Sequence, residues 1–233
     1  MKLARILVTT LVSAAVPSAA AAEPLKPTSK WNVDYDVAQC TASRNYGTED
    51  RPLLLIFKPS PFGGVMRLLV ASPGGFSSFA RELEAEVQFG EEPRIKRKAL
   101  KFSSNDKKLS ILSVNLPMED FKTQQPAKSV SIETAGLDRT FELDSVPSVV
   151  AELEKCRVDL LDMYNADRSR IREAATPVKP LSGLFSARDY PTAALRDREQ
   201  GSAAISLLVD EKGQVVDCSV DDSAGAATLD TMS

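Results

Sequence analysis

Histidine is absent from the 233-residue chain. With it go the Ser-His-Asp and Cys-His nucleophile systems and every histidine-based zinc or haem site. Cysteine is scarce too: three residues are too few for a four-thiolate zinc or iron–sulfur centre. Aromatics make up only 6% of the chain, and positive charge is not in excess, with 29 basic against 32 acidic residues and a net charge of −3. A mildly acidic protein is poorly suited to being held by nucleic acid or anionic lipid. What is present, 43% hydrophobic and 26% charged residues, suffices for one large or two small globular domains. Composition points to a soluble protein without metal, cofactor or catalytic residues.

The N-terminus sets the compartment. Lys2 and Arg5 form a positive region ahead of the short apolar stretch Ile6 to Val16, then Pro17 and Ser18-Ala19-Ala20-Ala21-Ala22. Ala20 and Ala22 satisfy the small-x-small cleavage rule, so residues 1–22 read as a signal peptide cut between Ala22 and Glu23. The apolar stretch falls short of the roughly 20 residues that span a bilayer. An exported, periplasmic protein is expected, and an uncleaved inner-membrane anchor is the alternative. Membrane contact is expected only in that second case. Loss of Lys2 and Arg5 on cleavage leaves 27 basic residues against 32 acidic ones, a net charge of −5.

Cysteine placement agrees with export, because thiols oxidise outside the cytoplasm. Cys40, Cys156 and Cys218 allow three pairings, which spacing does not separate. Cys40–Cys156 is favoured because it would close the first domain, worth about 4 kcal/mol by loop entropy. The alternative is that both thiols are buried and reduced. Cys218 is then left over.

From Trp31 onward the pattern is strand-like. Trp31–Tyr35, Leu53–Phe57, Val65–Val70, Arg94–Phe102, Leu109–Leu116, Ser129–Glu133 and Thr140–Leu143 form a series, punctuated by Pro59, Pro61, Gly63-Gly64, Pro73-Gly74-Gly75, Asn105-Asp106 and Gly136. Residues 23–30 read as a lead-in, and Met118 to Lys122 as one helical turn. Short strands at this spacing suggest a small β-sandwich or barrel. From Ser145, a candidate cap, the period becomes helical through Tyr164. The chain is thus expected to be α+β: a β-rich domain over 31–164 ending in a linking helix, a charged, Pro-containing linker over 165–182, and a smaller α/β unit over 183–233.

In that last unit Asp189 is a candidate cap for a short helix through Tyr190-Pro191 and Leu195, ended by Gly201. Ile205, Leu207 and Val209 alternate on one strand, and Val216, Cys218 and Val220 on the next. Asp210-Glu211-Lys212-Gly213-Gln214 makes the hairpin loop between them, with Gly213 at a positive-φ position. Asp221 to Gly225 is a second turn, and Ala226 to Asp230 begins another helix.

Tyr190-Pro191, Ala194-Leu195, Gly201, the Val209-to-Gly213 turn, Val216-to-Val220, Ser223, Gly225 and Leu229-Asp230 together resemble the C-terminal domain of the TonB family of periplasmic energy-transducing proteins. The resemblance covers about residues 185–233, about a fifth of the chain. It implies a small α/β module that binds an extended protein or peptide partner at a sheet edge, such as the TonB box of an outer-membrane receptor. It also implies a further helix and a final strand, so the unit over 183–233 is expected to be a truncated version of that domain. A membrane-anchored short transducer is the alternative reading, and a cell-envelope enzyme a weaker one. The partner-binding sheet would comprise Ile205, Leu207, Val209, Val216, Cys218 and Val220.

Other features read as structural. The basic run Arg94, Lys96, Arg97, Lys98 and Lys101 fits a solvated edge strand. Glu82, Glu84 and Glu86 fit an acidic exposed face rather than paired catalytic carboxylates. Gly63-Gly64 and Gly74-Gly75 lack the Lys-Ser/Thr that a phosphate loop needs. Trp31 and Tyr35 read as anchors of the first strand rather than a ligand platform.

Overall fold

The computed structural model describes residues 23–35, 39–74, 80–104, 108–124, 126–164, 166, 169, 186–199, 203–222, 224 and 226–230. Expectations for the signal segment up to Ala22, for most of the 165–182 linker and for Gly201 therefore lie outside the described residues. Glu23 is the first described residue and is exposed.

The N-terminal part holds β1 (Asn32–Tyr35), β2 (Cys40–Asn45), β3 (Leu54–Pro59), β4 (Val65–Pro73), β5 (Arg81–Phe89), β6 (Ile95–Ser103), β7 (Leu109–Pro117), β8 (Ser129–Thr134) and β9 (Leu137–Glu142). These nine strands form one antiparallel sheet in the order β1-β2-β3-β4-β7-β6-β5-β8-β9. Two strands went unpredicted. β2, Cys-Thr-Ala-Ser-Arg-Asn, has almost no apolar content, and β5 alternates Leu83, Ala85, Val87 and Phe89 beneath its glutamates.

Of the two expected forms, sandwich or barrel, the strands do not make two packed sheets but a single curled one. The lead-in explains why: it carries hydrogen bonding from one end of the sheet towards the other. Leu25 N–H donates to the Thr140 carbonyl at 2.7 Å, and Glu142 N–H donates to the Leu25 carbonyl at 2.9 Å. Three residues later Thr28 N–H donates to the Asn45 carbonyl at 2.8 Å. Side chains reinforce this seam. Tyr46 Oη donates to the Glu142 carbonyl at 2.6 Å, and Trp31 Nε1 donates to the Asp144 carbonyl at 3.0 Å. Arg44, only 7% exposed, places Nη1 and Nη2 each 2.9 Å from one carboxylate oxygen of Asp144. Its guanidinium also lies 5.6 Å from the centroid of the Trp31 ring. The Arg44 hydrogen bond holds the Asp144 carboxyl below its ordinary range, and burial pushes the Tyr46 phenol up to about 12.

Inside the curl, Trp31 stacks on Phe57 at 4.9 Å between ring centroids. Phe57 meets Phe121 edge-on at 5.3 Å, and Phe121 meets Phe89 at 6.0 Å. Phe121 comes from α1 (Met118–Gln124), the expected helical turn. Phe57 and Phe121 are fully buried, and each such ring contributes roughly 1.5–3 kcal/mol. Trp31 thus anchors the first strand, while Tyr35 donates from Oη to the Glu152 carboxylate at 3.0 Å.

α2 (Val146–Met163) buries Val149, Val150, Leu153, Cys156 and Leu160 in the same core, so it is an integral layer of this part and not merely a connection. A Cys40–Cys156 disulfide ties it to β2. Ser145 does not cap it as expected: φ is 57° and its side chain makes no capping bond. Pro147 in the first turn supplies the start instead, since its ring already holds a helical φ.

The basic run is not an edge. β6 lies between β7 and β5, where its outward lysines face the outward glutamates of β5. Lys98 meets Glu82 at 2.7 Å, Lys96 meets Glu86 at 3.4 Å, and Arg94 bridges Glu86 at 3.0 Å and Glu133 at 2.5 Å. The two charge clusters are halves of one cross-strand ladder.

Candidate functional site

The C-terminal part contains α3 (Thr192–Asp197), β10 (Ala204–Val209), β11 (Val215–Asp222) and α4 (Ala227–Asp230). Its small core comprises Ala194, Ala224 and Leu229, with Tyr190, Ala203 and Ala226 packed against them. Tyr190 Oη donates to the Glu199 carbonyl at 2.6 Å, and the Thr228 hydroxyl donates to the Glu199 carboxylate. Asp189 does not cap α3. Its carboxylate accepts from the Ser186 N–H and hydroxyl, which holds its carboxyl low, and Pro191 occupies the cap position. The helix closes at Arg198 in a left-handed conformation with φ of 55°, three residues before the expected Gly201.

The hairpin loop is built as its sequence demands. Asp210 Oδ1 accepts from the Lys212 and Gln214 N–H groups, both at 2.8 Å, and Gly213 takes φ of 78°. A side chain at that φ would meet its own backbone, so glycine is the natural occupant. β10 and β11 pair antiparallel as a separate two-stranded sheet.

Of the sequence-predicted residues, the register brings Ile205 opposite Val220 and Leu207 opposite Cys218. It does not bring Val209 to Val216. An irregularity after Leu208 sets Val209 opposite Val215, and Val216 has no partner in the register. A second irregularity lies between Ala204 and Ile205. Such bulges increase local twist and re-aim side chains.

None of these apolar residues joins the small core. Ile205 is 37% exposed, Leu207 42%, Val215 56% and Val216 59%, while Cys218 is an exposed free thiol. Sequence reasoning missed Val215, because strict alternation from Val216 assigns it to the opposite face. Among the described residues, β10 and β11 pair only with each other, so each carries one unpaired backbone edge. Chemically the arrangement offers a row of N–H and C=O groups beside exposed aliphatic side chains. Among the described residues no group of three or more Cys, Asp or Glu side chains is arranged to hold a metal ion, and no helix is long and apolar enough to cross a membrane.

No curated protein and no solved structure matches the chain. Residues 186–233, which contain α3, the hairpin and α4, match the family described as Gram-negative bacterial TonB protein C-terminal.

Proposed function

We propose that the chain is an exported, periplasmic partner-binding protein whose C-terminal hairpin takes up an extended segment of another protein by strand addition. The observation that carries this reading is the exposure of Ile205, Leu207 and Val216 on a sheet that, among the described residues, has two strands and unpaired edges, inside the segment that matches the TonB C-terminal family. A hairpin with only two strands is marginal in water, and an added strand extends its ladder while covering aliphatic surface. Affinity would come mostly from main-chain hydrogen bonds, with modest selection from the side chains at Ile205, Leu207, Val209, Val216, Cys218 and Val220. The partner class is the TonB-box segment of an outer-membrane receptor, which links the protein to outer-membrane transport. No catalytic residue, metal or cofactor is required.

Titrating the mature full-length chain with a TonB-box peptide, followed by amide chemical shifts, tests this. Shifts confined to the amides of 204–222, lost when alternate peptide nitrogens are N-methylated, are the expected result. Unchanged affinity for the methylated peptide would exclude strand addition.

A further inference from the structure

The pairing register decides which side chains share the inner face of the large sheet. Its charged members are Arg44, Arg81, Arg97, Lys101 and Arg139, with no Asp or Glu contributed by any of the described strands. Two of these cations are matched from outside the sheet: Arg44 by Asp144, and Arg97 by Asp120 of α1 at 3.0 Å. Arg139 donates to the Asp138 carbonyl. Among the described residues, Arg81, Lys101 and Arg139 have no carboxylate partner.

Arg81 and Lys101 are direct cross-strand neighbours on β5 and β6, an arrangement that like charges make unfavourable. Lys101 also lines a cavity of about 60 Å³, together with Val70 and Leu112. The same cavity is lined by Ser72 and Ser110, which face each other across β4 and β7. Neither serine hydroxyl has a protein partner among the described residues. Thr134, also in the lining, already donates its hydroxyl hydrogen to the Glu84 carbonyl at 2.7 Å and so offers only an acceptor. Gly136, at φ of 93°, also lines the cavity, and a Cβ there would come into ordinary contact with Lys101 Nζ at 3.9 Å. The volume equals on the order of four waters, enough for a compact oxyanion and too small for a sugar ring or an acyl chain.

We propose that this cavity binds a phosphate monoester group, with Lys101 meeting its charge, Ser72 and Ser110 donating to its oxygens, and Arg81, outside the lining but directly across from Lys101, adding a second positive charge nearby. Two adjacent cations match the roughly −1.5 to −2 charge of a phosphate monoester better than the single charge of a carboxylate. The group is either a free phosphate species or the headgroup of a lipid such as phosphatidic acid. The site belongs to the N-terminal part and is independent of the hairpin reading.

The test is calorimetric titration of the full-length chain with inorganic phosphate at low ionic strength, alongside sedimentation with phosphatidylcholine vesicles with and without phosphatidic acid. Lys101→Gln is expected to weaken phosphate binding about tenfold, as loss of one charge-assisted contact does, and Arg81→Gln, which removes a charge beside the cavity and not in its lining, to weaken it by less. Lys98→Gln, which removes an outward lysine already paired with Glu82, is expected to leave it unchanged. Co-sedimentation only with phosphatidic acid vesicles, reversed by inorganic phosphate, would assign the lipid source; phosphate binding without co-sedimentation would assign the soluble one. Absence of both, or an equal loss in Lys98→Gln, overturns the proposal. Thermal unfolding of each variant separates lost binding from lost folding.

Discussion

Arg44 on β2 grips Asp144, a hundred positions later in the chain, through two contacts of 2.9 Å. The pair sits where the curled sheet meets itself. Arg44 also donates from Nε to the Ser29 carbonyl at 2.9 Å, so one buried guanidinium holds the lead-in, β2 and the segment entering α2.

Removing the carboxylate strands this cation. Loss of one partner from a buried pair costs about 3–5 kcal/mol, but Asp144 is half exposed and solvent screens much of that. Asp144→Asn is therefore expected to destabilise by about 1–2 kcal/mol in urea titration at neutral pH. The Asp144 carboxyl is held low in the fold, against about 3.9 when unfolded. Its contribution is complete above that unfolded value and disappears as pH falls through the lower folded one. Stability of the natural protein should decline below about pH 4, and the asparagine variant should lack that component.

At the other extreme, Tyr46 is pushed up to about 12 by burial. A phenol raised in the fold supports stability fully below its unfolded value near 10, and that support is lost as pH rises towards 12. Tyr46→Phe should cost about 1 kcal/mol at neutral pH, by leaving the Glu142 carbonyl without its side-chain donor. The variant should also flatten the alkaline slope between those two values. An identical alkaline profile in the variant would contradict the assignment.

The Cys40–Cys156 bridge closes a separation of 116 residues and is almost fully buried. Reduction, or the double Cys→Ser variant, is expected to lower stability by about 4 kcal/mol. The guanidinium midpoint with and without dithiothreitol measures this. Cys218→Ser should leave that midpoint unmoved, since its thiol is free and exposed.

For the hairpin the sensitive position is Gly213, with φ of 78°. Gly213→Val should destabilise the turn by about 1–2 kcal/mol, the cost of a left-handed L-residue. Amide exchange should accelerate in β10 and β11 only, and peptide affinity should fall with it. Exchange rates equal to those of the natural protein would show that the turn does not control the site.

Much of this architecture was legible in sequence, and the lapses have physical causes. Apolar runs such as Leu109 to Leu116 announced strands because burial on a pleated surface selects them. β2 was silent because its inward positions are Cys40, Ala42 and Arg44, two small residues and a cation. Arg44 is tolerable inside only because Asp144 faces it, a relation that no local window contains. β5 hides behind its glutamates, whose partners on β6 read by themselves as a basic edge strand. The hairpin was visible through its alternation and Gly213, whereas the bulge that offsets Val216 depends on pairing. The inner-face cations were invisible for the same reason: facing is a property of register, not of composition.

The seam has a temporal consequence. A chain that emerges with its amino end first must hold Leu25 and Trp31 in waiting until residues 140–144 follow, and the bridge to α2 waits longer still. Long-range closure of this kind slows folding and prolongs exposure of unpaired strands. The earliest part of the molecule to arrive is the last to be secured, so proteases and chaperones of its compartment would meet an open sheet before they meet a sealed one.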